Sequence, residues 1–68
     1  MKNNYLPIGF IMLVSQNEGA FKYFANLDEN TQNNISDYIQ KATTSDEAKE
    51  KINNSIEGLV NQNTNFLN

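Results

Sequence analysis

The most apolar part of the 68-residue chain is Leu6-Pro7-Ile8-Gly9-Phe10-Ile11-Met12-Leu13-Val14. On a helical wheel this run is apolar on two sides. The broader side consists of Leu6, Phe10, Leu13 and Val14. The second side is a stripe made of Ile8 and Met12, which lie four residues apart. A helix that is apolar on both sides is usually buried on both sides, so we expect the rest of the chain to fold around it.

Three further segments combine a start signal with apolar residues at helical spacing. Asn17 and Asp28 are suited to cap a second and a third helix. Thr44 and Glu47 match the capping box that opens a fourth. The fold class that we predict is therefore all-α. It is a compact bundle of four short helices around a central apolar first helix, at about residues 7–16, 18–26, 29–42 and 45–61.

The predicted core draws on all four helices. Its members are Leu6, Phe10, Leu13, Val14, Phe21, Phe24, Leu27, Ile35, Tyr38, Ile39, Ile52, Ile56 and Leu59. Residues 1–5 are predicted to be a frayed N-terminus, residues 6–61 a single helical domain, and residues 62–68 a polar, flexible tail. In the alternative, Phe66 and Leu67 fold back onto an apolar patch, for which the Ile8/Met12 stripe is the obvious candidate.

The residue types disfavour catalysis, cofactors and metals. The chain has no Cys and no His, so a Ser would lack the usual base and a metal its commonest ligand. The acidic pairs Asp28/Glu29 and Asp46/Glu47 fall at helix starts, where capping and the helix dipole explain them. The nine-residue apolar run is short of the roughly 20 residues that span a bilayer. We therefore expect a cytoplasmic protein with no catalytic, cofactor-binding or metal-binding residues and no membrane partner.

Charge disfavours nucleic acid, although it stays the alternative function. Five Lys and no Arg stand against eight acidic residues, for a net charge of −3. The third and fourth helices offer Lys41, Lys49 and Lys51, few cations for a phosphate backbone. A small helical nucleic-acid-binding protein is therefore the second hypothesis.

The leading hypothesis is a non-catalytic module that binds a protein partner or forms a homodimer. Its basis is that the first helix carries more apolar surface than three short neighbours comfortably cover. The candidate interaction surface consists of Ile8, Gly9, Met12 and Tyr23.

Several of these residues also form a pattern of the type L-P-x-G-F-x-M, then N-x-x-A and F-x-x-L. The matching positions are Leu6, Pro7, Gly9, Phe10, Met12, Asn17, Ala20, Phe24 and Leu27. In this respect the chain, over roughly residues 6–60, resembles a group of short uncharacterised all-helical proteins of Gram-positive bacteria. That resemblance implies a small bacterial helical protein and carries no biochemical activity.

A more distant resemblance involves the second half of the chain. Its core positions are Ile35, Ile39, Ala42, Ile52, Ile56 and Leu59. They are similar to those of the C-terminal helical segment of the bacteriocin-protection (YdeI/OmpD-associated) family. That family has a basic stretch where this chain has residues 42–48, which contain no Lys or Arg. The resemblance therefore implies a fold and no anion-related role.

Overall fold

The structure, a computed structural model, describes residues 6–67. Within that range the chain forms four α-helices and a final 3-10 helix, and it contains no strand. The elements are α1 at Ile8–Ser15, α2 at Glu18–Ala25, α3 at Glu29–Gln40, α4 at Ser45–Val60, and the 3-10 helix at Asn65–Leu67. The all-α class and the four-helix bundle are confirmed, and every predicted helix boundary lies within two residues of the observed one. The predicted fraying of residues 1–5 lies outside the described residues.

The helix at the centre of the bundle is α4, whereas the sequence predicted the first helix. α4 packs against α1, α2, α3 and the 3-10 helix. It is 16 residues long and α1 is only 8, so different parts of α4 can serve several neighbours. α1 buries only Phe10 and Val14, and its second apolar stripe stays exposed. The expected burial of the first helix on both sides is therefore corrected.

The core lies between the inner sides of all four helices. Its buried apolar residues are Phe10, Val14, Ala20, Phe24, Ile35, Ile39 and Leu59. The rings of Phe10 and Phe24 meet edge to face, with their centroids 5.4 Å apart. Partly buried side chains surround this cluster, namely Leu6, Tyr23, Leu27, Tyr38, Ile52, Ile56, Phe66 and Leu67.

Two residues of the predicted core, Leu13 and Phe21, are exposed. At 3.6 residues per turn, each lies about 80° from the middle of the buried arc of its helix. A residue at that angle is covered only if a neighbouring element packs on its side. In α2 the side that packs is that of Tyr23, which is partly buried against the core. The prediction assigned the wrong edge of the helix to the core.

Local hydrogen bonds explain where the helices begin. The Asn17 side chain accepts a hydrogen bond from the backbone N–H of Ala20 at 3.0 Å, as predicted for a cap of α2. Thr44 caps α4 by accepting from the N–H of Glu47 at 3.1 Å. Asp28 occupies the cap position of α3 but accepts no backbone N–H there. Its carboxylate accepts instead from the hydroxyl of Thr31. Asp28 is therefore the N-cap residue of α3, as predicted, but its side chain does not bond to the helix backbone.

The chain reverses at the end of α4 and returns to the bundle. Gln62 takes a left-handed conformation with φ 58°. Its N–H donates to the carbonyl of Leu59 at 3.0 Å, and the N–H of Asn63 donates to the carbonyl of Gly58 at 2.9 Å. Such a left-handed residue commonly closes a helix and satisfies its last carbonyls. The turn brings Phe66 back over α4, so the tail packs on α3 and α4 and not on the Ile8/Met12 stripe.

Candidate interaction surface

The outward side of α1 carries an uncovered apolar ridge. Ile8 is 74% exposed and Met12 is 58% exposed. They lie one helical turn apart, opposite the buried Phe10 and Val14. We call Ile8 and Met12 the outer ridge. Both residues were predicted for the candidate surface, and the structure places both in contact with solvent.

A groove lies beside the outer ridge, between α1 and α4. Its volume is about 410 Å³. Its lining consists of Gly9, Met12 and Leu13 from α1, Gln16 at the end of α1, and Lys49, Ile52 and Asn53 from α4. We call this the α1–α4 groove. The spacings i, i+3, i+4 and i+7 on α1 and i, i+3 and i+4 on α4 put one side of each helix along it.

Gly9 leaves room at the point where α1 approaches α4. A Cβ atom at Gly9 would lie 3.2 Å from the Cδ1 atom of Ile52, which is a tight contact. Gly9 thus faces the side chain of Ile52 within the same chain, and both residues line the α1–α4 groove.

Tyr23, the fourth residue of the predicted surface, lies elsewhere. It is not among the residues that line the α1–α4 groove. Its ring packs partly buried against the core. Tyr23 stands on the edge of α2 that packs against the core and is partly buried there. The structure therefore brings together Ile8, Gly9 and Met12 and leaves Tyr23 out.

The opposite side of α4 has a comparable space, which the chain itself fills. A Cβ atom at Gly58 would lie only 2.5 Å from the Cδ2 atom of Phe66. The Phe66 ring thus rests directly on the backbone of α4. It also packs against Tyr38, with ring centroids 5.4 Å apart. Gly58 lies inside α4, as the predicted range of residues 45–61 requires, and its missing Cβ admits this ring.

The charged groups of α3 and α4 make local contacts. The Nζ atom of Lys51 lies 4.4 Å from the centre of the Tyr38 ring, a cation–π contact. Lys49 lines the α1–α4 groove and Lys41 lines a separate polar pocket. The pKa of Glu47 is held below its ordinary value by hydrogen bonds from the backbone N–H and the hydroxyl of Thr43, at 2.7 and 3.0 Å. The hydrogen bonds of Glu47 support the start of α4.

The polar pocket is the larger cavity, at about 670 Å³, but its chemistry is less suggestive of a ligand. Its lining consists of Thr31, Asn34, Asp37, Tyr38, Gln40, Lys41, Thr64 and Leu67. Water satisfies exposed polar side chains of this kind. Among the described residues no buried side-chain nitrogen or oxygen lacks a hydrogen-bond partner. Apolar atoms exposed in the α1–α4 groove, by contrast, gain free energy when a partner covers them.

Sequence reasoning missed four of the residues that line the α1–α4 groove, namely Gln16, Lys49, Ile52 and Asn53. It also placed Leu13 in the core. The spacing of Gly9, Leu13 and Gln16 was visible in the sequence as one side of a helix. The pairing of that side with α4, about 40 positions further along the chain, was not.

The described residues contain neither a side-chain cluster that could hold a metal ion nor a helix that could span a membrane. Within residues 6–67 no group of three or more acidic, His or Cys side chains is placed to hold a metal ion. None of the helices described here has the length and apolar character needed to cross a membrane.

No family model, no curated protein and no solved structure matches the chain. The two resemblances drawn from sequence patterns therefore stay predictions.

Proposed function

We propose that this protein is a small, non-catalytic interaction module that binds a protein through the outer ridge and the α1–α4 groove. The observation that carries the proposal is the contrast between the two sides of α4. One side is filled by Phe66 of the same chain. The other side borders the open α1–α4 groove, where Met12 and Leu13 of α1 are exposed near the partly buried Ile52. Exposed apolar side chains grouped around a groove between two helices are typical of sites that bind an amphipathic helix.

The residue set supports the non-catalytic part of this proposal. The chain contains neither Cys nor His, and the groove contributes no carboxylate that could work as an acid or base. Its single ionisable side chain is the exposed Lys49. The absence of Cys also fits a cytoplasmic location, where thiols stay reduced and disulfides are rare.

A peptide selection tests the binding surface without requiring the natural partner. Randomised helical peptides are displayed on phage and selected against the folded protein, and recovered peptides are titrated by calorimetry. We expect peptides with apolar residues at positions i, i+4 and i+7. Their affinity should fall at least tenfold for Met12→Glu, because a charged carboxylate would replace an apolar contact. A factor of ten corresponds to about 1.4 kcal/mol.

The matched control is Phe21→Glu. The exposed fraction of Phe21, 50%, is similar to that of Met12, but Phe21 lies on α2 outside the groove. This variant should bind the selected peptides as the wild type does. Circular dichroism checks that both variants are folded. Peptides that bind Met12→Glu as tightly as the wild type would place the binding surface elsewhere and refute the proposal.

A further inference from the structure

We propose that the partner of this surface is a second copy of the same chain, in a two-fold symmetric dimer. Each copy inserts its outer ridge into the α1–α4 groove of the other. This inference rests on the proposed function, because it names the occupant of the same surface.

The first argument is geometric. The outer ridge and the groove-lining residues Gly9, Leu13 and Gln16 lie side by side on α1, about a quarter of a turn apart at 3.6 residues per turn. In a two-fold dimer the same patch of both copies meets itself, so a surface must be complementary to its own rotated image. A ridge beside a groove meets that condition, because rotation by 180° sets each ridge opposite the groove of the other copy.

The second argument is electrostatic. No Asp, Glu, Lys, Arg or His occurs between Lys2 and Glu18, so α1 presents an uncharged face in a chain whose net charge is −3. Two identical copies can therefore meet along α1 without bringing like charges into contact. Lys49 is the only charged residue that lines the groove, and it is exposed, so its ammonium group can stay in water. A strongly charged partner would find almost nothing complementary here.

The third argument concerns size. A stable interface typically buries about 800 Å² on each partner, and the accessible surface of the chain is 4711 Å². A standard interface would thus take about a sixth of that surface. α1 has only eight residues, so the ridge and groove together fall toward the small end of the range. We therefore expect a reversible dimer with a dissociation constant in the micromolar range.

Sedimentation equilibrium from about 10 µM to 1 mM tests the dimer with the full chain. The wild type should be in monomer–dimer equilibrium. Met12→Glu should weaken dimerisation at least tenfold, because it places a carboxylate in both ridge–groove contacts. Phe21→Glu, with comparable exposure on α2, should stay within twofold of the wild type. An equal loss in both variants would overturn the assignment of the interface.

A mixing experiment tests the reciprocal arrangement itself. Ile8→Gln alters only the ridge, and Leu13→Gln alters only the groove. In each homodimer both contacts are damaged. In a mixed dimer one contact joins the intact ridge of the Leu13→Gln chain to the intact groove of the Ile8→Gln chain. An equimolar mixture should therefore associate more strongly than either variant alone, and no recovery would overturn the ridge-in-groove packing.

The outcomes separate this inference from the proposed function. If the wild type stays monomeric at 1 mM while selected peptides bind in a Met12-dependent way, the second-copy inference is wrong and the binding surface stands. If selected peptides ignore Met12 while the dimer depends on it, the proposal that this surface binds a partner helix is wrong and the surface serves self-association alone. If neither depends on Met12, both proposals are wrong.

Discussion

Gly58 and Gly9 each lie against a side chain from another part of the bundle, but the surroundings of the two positions differ. At Gly58, a buried position on α4, the missing Cβ admits the ring of Phe66, which returns from the C-terminal segment. At Gly9, an exposed position on α1, the Cδ1 atom of Ile52 lies 3.2 Å from where a Cβ would stand, and the α1–α4 groove that Gly9 helps to line is left open by the described residues. The difference indicates that the first space serves the fold and the second is open to another molecule.

The two sides of α1 differ in the same way, since one is buried and the other is exposed. Substitutions on these two sides should give the largest difference in the free energy of unfolding. Phe10→Ala should lower the free energy of unfolding by about 3–5 kcal/mol, because Phe10 is fully buried and meets Phe24. Met12→Ala, two residues further on, should change it by less than about 0.5 kcal/mol, since Met12 is exposed. Urea unfolding followed by circular dichroism measures both.

A domain of this size has little stability to lose, so Phe10→Ala could fail to fold. Phe10→Leu then gives a readable value, because it keeps an apolar side chain and leaves a smaller cavity. Equal losses for substitutions at positions 10 and 12 would mean that α1 has no distinct outer side. The outer ridge would then not be a free surface.

The next effect in size concerns Gly58. Gly58→Ala should lower the free energy of unfolding by about 1–3 kcal/mol, the usual cost of overpacking. Its Cβ would lie 2.5 and 2.7 Å from two ring carbons of Phe66 and 3.1 Å from the backbone oxygen of Asn63. The direction of the change is informative. Ala in a helix interior is ordinarily favoured over Gly by about 0.5–1 kcal/mol, so a loss of stability would indicate the close contact with Phe66.

Gly19→Ala is the matched control for Gly58→Ala. Gly19 is exposed on α2, and the nearest atom to an added Cβ is the Oδ1 of Asn17 at 3.6 Å, an ordinary contact. This variant should raise the free energy of unfolding. The gain should not exceed about 0.5–1 kcal/mol, the value for a helix interior, because Gly19 lies in the first turn of α2. In a Phe66→Ala background much of the cost of Gly58→Ala should disappear. If the cost is unchanged without the ring, Phe66 does not explain the need for Gly58.

Local signals allowed most of the helical framework to be predicted. Asn17 and Thr44 were recognised as caps because a cap depends on residues two or three positions away. The outer stripe of Ile8 and Met12 was visible for the same reason, since neighbours four apart always share one side of a helix. These features require no knowledge of how the helices pack together.

Features that depend on packing could not be predicted. A helical wheel shows that Phe21 and Tyr23 flank the same buried arc, but only the neighbouring helix decides which of them is covered. The role of Gly58 depends on Phe66, whose position follows from the left-handed turn at Gln62. The α1–α4 groove likewise requires the pairing of two distant segments. The unpredictable part of the candidate site is therefore its α4 wall.

The smallest expected effect tests the start of α4, the helix shared by the filled and the open space. The pKa of Glu47 is held below its ordinary value because the N–H and hydroxyl of Thr43 donate to its carboxylate. A carboxyl group with a lowered pKa stabilises the fold above its unfolded pKa, which is about 4.3 for Glu. That contribution is lost as the pH falls through the folded pKa.

Glu47→Gln should therefore be less stable than the wild type at neutral pH, and the two should converge once the pH is well below about 4. Urea midpoints between pH 3 and pH 7 measure the convergence. Thr44→Ala serves as the control, because it removes the hydroxyl that accepts from the N–H of Glu47 and leaves no titrating group changed. Its cost of about 1 kcal/mol should persist at low pH. A gap between Glu47→Gln and the wild type that is constant with pH would show that the carboxylate charge does not stabilise this helix start. The α4 wall of the groove would then be fixed at its N-terminal end by the Thr44 hydroxyl and by packing alone.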